Sequence, residues 1–74
     1  MTKLKELNTA VFFGEQLRAR RQELNLTQKY VAEKLGVHYN NVIEVEKGRR
    51  GLSADTLVKY CRVLRLEIKL VGID

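Results

Sequence analysis

The stretch from Thr27 to Lys47, TQKYVAEKLGVHYNNVIEVEK, constrains this chain more than any other. It holds two short apolar-periodic runs separated by one glycine. In the first run Val31 and Leu35 stand four apart with Ala32 beside them, and Thr27 offers a capping hydroxyl just ahead of Gln28. The second runs from His38 to Lys47 with Val42 and Val45 at i, i+3 spacing, and it stops before Gly48. Gly36 between them can take positive φ without a Cβ clash, which closes one helix and opens a tight turn. Helices of about two turns have to pack closely to persist, and Ala32 is small where the two would cross. Val31, Leu35, Val37, Val42 and Val45 then form a shared core.

The flanking segments supply the rest of a small helical fold. From Phe13 the apolar residues Phe13, Leu17 and Leu24 share one face among Arg18, Arg20, Arg21, Gln22 and Glu23, which predicts an amphipathic helix ending near Asn25. Ser53 caps a further helix, ADTLVKYCRVL, whose stripe is Leu57, Tyr60, Cys61 and Leu64. Cys61 on that stripe reads as a small buried hydrophobe. Beyond it Leu66, Glu67, Ile68, Lys69 and Leu70 alternate apolar and polar, the period of a half-buried strand. A lone strand needs a partner, either a second copy of the chain or the Thr2–Leu7 segment.

Length and composition narrow the function. A chain of 74 residues has room for one domain with one small core. Its net charge of +5 suits a polyanionic partner, and the basic residues are spread along the chain without a basic tail. One cysteine and one histidine exclude an internal disulfide and a structural zinc site, so no metal or cofactor is expected. There is no glycine-rich phosphate loop and no nucleophile with its base, which argues against an enzyme. The apolar stretch Ala10–Phe13 is too brief for a signal segment or membrane span, so a soluble cytoplasmic protein with no membrane partner is expected.

With these positions in view, the chain resembles the phage-repressor (Cro/C1, XRE) type helix-turn-helix family. The twenty-residue motif runs from Gln28 to Lys47, and the likeness extends from about Phe13 through Leu64. It implies a mainly α, four- to five-helix repressor-like domain over residues 13–65, an N-terminal extension at 1–12, and a C-terminal strand at 66–74. The family's docking mode puts the helix after Gly36 into the major groove and lays the preceding helix across the backbone. The resemblance then makes His38, Tyr39, Asn40 and Glu44 the base-contacting candidates, and Gln28, Asn41, Lys47, Arg49 and Arg50 the phosphate contacts. It also implies a partly buried ion pair between Arg21 and Glu46. For Arg18 and Arg20 a solvated face is as good a reading. His38 departs from the Ser or Thr that the family often uses as N-cap.

The end VLRLEIKLVGID is similar to HipB-type antitoxins, in which a short strand pairs with its copy across a dimer two-fold. That likeness implies a homodimer joined through Leu66, Ile68 and Leu70, repression at a palindromic operator in double-stranded DNA, and a HipA-like kinase toxin as partner. The competing expectations are a phage- or plasmid-type repressor without a toxin, and a helix-turn-helix core used as a protein-interaction module.

Overall fold

The computed structural model describes residues 8–73. Four helices follow one another: α1 (Thr9–Glu23), α2 (Gln28–Leu35), α3 (Tyr39–Glu46) and α4 (Ala54–Val63). Each start has a side-chain cap. Asn8, Thr27, His38 and Ser53 precede the four helices and accept from the backbone N–H of Val11, Tyr30, Asn40 and Thr56. α1 therefore begins at Thr9, four residues ahead of Phe13, because Asn8 supplies a cap that the apolar pattern does not register.

The four ends share a second device. Asn25, Gly36, Gly48 and Arg65 all have positive φ, between 57° and 76°. At each, the N–H of that residue and of the next bond back into the last turn, as Gly36 N–H does to Glu33 O at 3.2 Å and Val37 N–H to Ala32 O at 3.0 Å. This is the Schellman closure, which satisfies carbonyls that a helix end otherwise leaves open. Arg65 holds a left-handed conformation despite its Cβ. The Arg20 guanidinium steadies that corner, donating from Nε to Leu64 O at 3.0 Å and from Nη2 to Arg65 O at 3.3 Å.

The core collects Leu17 from α1, Val31 and Ala32 from α2, Val42 and Val45 from α3, and Tyr60 with Leu64 from the α4 region. Val42 is fully buried and Leu64 nearly so. Leu24, Leu26, Leu35, Leu52, Leu57 and Val63 close its rim. The pairs α2 with α3, α1 with α3, and α2 with α4 make the main contacts. α3 is thus gripped from two sides. Val37, expected in the core, is instead 38% exposed. Its N–H turns inward to close α2, and that leaves its side chain at the rim.

The most demanding contact is made by Gly14, buried in the middle of α1. A Cβ there would collide with the Val45 carbonyl oxygen and lie 3.0 Å from that of Glu46. Only a residue without a side chain lets α1 approach the last turn of α3 this closely.

Past Arg65 the tail runs without regular secondary structure, and among the described residues none lies in a β-ladder. The alternation at Leu66–Leu70 therefore does not express itself as a paired strand, and all five residues are exposed. A ladder needs a second backbone to donate and accept. The Thr2–Leu7 segment, the intrachain candidate, lies outside the described residues.

Replacing Gly14 with alanine should cost about 2 kcal/mol by overpacking. Gly51→Ala, with nothing within 4 Å of the added methyl, should change stability little. Chemical denaturation of the two variants tests the pair, and equal stabilities would contradict the tight α1–α3 contact.

Candidate nucleic-acid interface

α3 is the element whose outward face matters, and its orientation follows from what it buries. Val42, Val45 and Glu46 face inward. At about 100° per residue, Asn40 and Glu44 fall on the opposite side, and Lys47 continues the same stripe past the C-cap. Asn40 and Lys47 are exposed and Glu44 half-buried. The Tyr39 ring flanks this stripe, with Lys29 Nζ of α2 lying 5.6 Å from its centroid. His38 stands just outside the helix as its N-cap, its Nδ1 accepting from Asn40 N–H at 3.1 Å. The imidazole therefore caps α3 after all, through an unprotonated ring nitrogen.

The buried acid of the stretch is Glu46. Arg21 Nε donates to Glu46 Oε2 at 2.6 Å and Nη2 to Oε1 at 3.0 Å, a two-point pairing. Gln28 Nε2 adds a third bond to Oε1 at 2.9 Å, and Arg21 Nη1 reaches Leu26 O at 2.8 Å. One carboxylate thereby ties α1, the first residue of α2 and the last residue of α3 together. Gln28, a phosphate-contact candidate from the motif, spends one amide N–H on this network and retains the other.

The second acid behaves differently. Glu44 Oε2 lies 3.6 Å from Arg49 Nη1, with both side chains in contact with solvent. The backbone brings them together, since Arg49 N–H also donates to Glu44 O at 2.9 Å in the Schellman closure of α3. Lys47, Arg49 and Arg50 are all exposed beyond the helix end, and Asn41 is half-buried toward α4. Sequence pattern gave no sign of the Glu44–Arg49 contact, which depends on the left-handed turn at Gly48.

Tyr60 is a further feature that pattern alone could not disclose. Its hydroxyl is buried without a hydrogen-bond partner among the described residues. Burial, and then the negative charge of Glu46, push its pKa up to about 12.

A helix-turn-helix family model matches residues 17–71. The chain belongs to the helix-turn-helix family of Cro/C1 (XRE) type. It is a DNA-binding regulator of transcription. Among solved structures, it is similar to the restriction-modification controller protein C.AhdI from Aeromonas hydrophila. The two share 33% identity with a TM-score of 0.74, over 78% of this chain and 88% of that one. No curated protein sequence matches the chain. No helix among the described residues is long and apolar enough to cross a membrane.

Two tests address the buried network. Glu46→Ala strands the Arg21 charge and the Gln28 amide, and should cost about 3 kcal/mol in a denaturant titration; an unchanged midpoint would remove the network from its structural role. Tyr60 is neutral until its phenol titrates, so its raised pKa contributes stability that is complete below pH 10 and lost as pH rises toward 12. Tyr60→Phe lacks that loss, so its melting temperature should gain on the parent's between pH 10 and 12, and parallel profiles would refute the burial of the hydroxyl.

Proposed function

We propose that the chain represses transcription as a homodimer on a palindromic operator, each subunit presenting α3 to one major-groove half-site. The observation that carries this reading is the outward stripe of α3. Its polar groups stand opposite a seam held by Val42, Val45 and the Glu46 network, so the helix is offered as a rigid unit. Asn40 can bond adenine N6 and N7, and Glu44 can accept from cytosine N4, contacts worth roughly 1–3 kcal/mol of discrimination each. His38 and Tyr39 stand at the same end of the helix, where the groove is entered. Gln28, Asn41, Lys47, Arg49 and Arg50 serve as the phosphate anchors that set register.

Dimerisation is supported by the apolar surface that the tail leaves uncovered. Leu70 is 96% exposed and Ile68 47%, while Leu66 sits closer to the helices. Leu66, Ile68 and Leu70 also border an apolar groove with Phe12, Phe13 and Leu57. Pairing of two tails would cover these side chains and satisfy the open backbone of each. Two α3 helices set about 34 Å apart would then meet half-sites one helical turn apart.

The genes governed admit two readings. Likeness of the C-terminal segment to HipB-type antitoxins favours a toxin operon and a HipA-like kinase partner. The 33% identity with a restriction-modification controller protein favours a restriction-modification locus.

Selection of bound sequences from a randomised DNA pool should return a palindrome, and light scattering on the eluting protein should give twice the monomer mass. A selected pool without symmetry, or a protein that remains monomeric at high concentration, would sink the dimeric-operator reading. Glu44→Ala should change the preferred base at one position of each half-site with an almost unchanged melting temperature. A destabilised variant with unaltered preference would assign Glu44 to the fold instead.

A further inference from the structure

The run LRARR on α1 contains three arginines in four residues, and two of them have structural work. Arg20 closes the end of α4, and Arg21 holds Glu46. Arg18 is exposed and makes no ion pair within 4 Å among the described residues. It lines a cleft of about 480 Å³ that also takes in Gln28, Lys47 and Arg49. The cleft has two acids on its wall, Glu15 and Glu46. Glu46 is already neutralised by Arg21 and hydrogen-bonded by Gln28, and Arg49 lies 3.6 Å from Glu44, which leaves Glu15 against Arg18 and Lys47 with Arg49 partly balanced.

We propose that Arg18, together with Lys47 and Arg49, forms a seat for one backbone phosphate of the duplex, making Arg18 a further DNA-contacting residue carried by α1. The proposal rests on the DNA-binding reading and extends the interface beyond the helix-turn-helix motif. Three separate elements converge on the cleft: α1 through Arg18, the start of α2 through Gln28, and the segment after α3 through Lys47 and Arg49. Gln28 is the hinge of the arrangement. One of its amide hydrogens is fixed on Glu46 and the other remains a donor at the cleft. The seat is therefore built on the same carboxylate that locks α3, so a phosphate held there is registered against the base-reading stripe. Long arginine side chains on a helix surface are commonly solvated, but here Arg18 and Lys47 outnumber the one uncompensated acid of the cleft, Glu15, so the cleft favours an added anion.

The test compares salt dependence of duplex binding, using a mixed-sequence duplex of stated length so that no operator need be known. Each phosphate contact contributes about 0.9 to the slope of log K against log salt. Arg18→Gln should lower the magnitude of that slope by about 0.9 with the melting temperature unchanged, and Arg18→Lys should restore most of it. Arg62→Gln, which removes the same charge from an exposed position on α4 away from the cleft, should leave the slope near the parent's. An Arg18→Gln slope equal to the parent's, or equal losses for Arg18→Gln and Arg62→Gln, would overturn the seat. A parent protein with no steep slope would instead overturn DNA binding itself, so the two failures are distinguishable.

Discussion

The last turn of α3 is fixed to α1 and α2 through the Glu46 carboxylate. That carboxylate is nearly inaccessible to water, and a bare charge there would be prohibitively costly. Two guanidinium bonds and one amide bond compensate it, and these come from α1 and from the first residue of α2. The compensation matters less as net stabilisation than as a geometric condition, since a buried pair contributes little when whole and costs much when broken. The last turn of α3 has one place to sit if Arg21, Gln28 and Glu46 are all to be satisfied. Gly14 permits the close approach at that same turn, where the carbonyls of Val45 and Glu46 face α1.

Function inherits this rigidity. On the proposed docking, a helix that rocked by a residue would present different side chains to the groove, so discrimination between bases would require the seam beneath Asn40 and Glu44 to be fixed. The arrangement also separates the two acids that a basic, DNA-binding chain carries in one short segment. Glu46 faces inward and is neutralised at the site. Glu44 faces outward beside Arg49, where its charge is partly balanced and its carboxylate still reaches solvent.

Much of the fold was legible residue by residue. Thr27, Ser53 and Gly36 announced two helix starts and one helix end, because caps and left-handed closures depend on local chemistry that a single residue type supplies. The buried stripes at Val31, Ala32, Val42, Val45, Tyr60 and Leu64 followed from helical periodicity. What periodicity could not reach was the start of α1 at Thr9, since Asn8 and the helix's first turn lie outside the apolar pattern. It equally misplaced Val37, whose backbone rather than side chain does the inward-facing work.

The sequence by itself determined that two short helices hinge at Gly36 within a small helical domain, and which residue types are available to meet a polyanion. The tertiary structure alone decided how those residues divide. Three arginines within four residues were sent to a helix end, to a buried carboxylate and to an open cleft, although their chemistry is identical. Glu44 and Glu46, two residues apart, came to lie on opposite sides of one helix. The reason is that side-chain chemistry fixes what a residue can bind, whereas its partner is set by which backbone segments the core brings within about 3 Å of it.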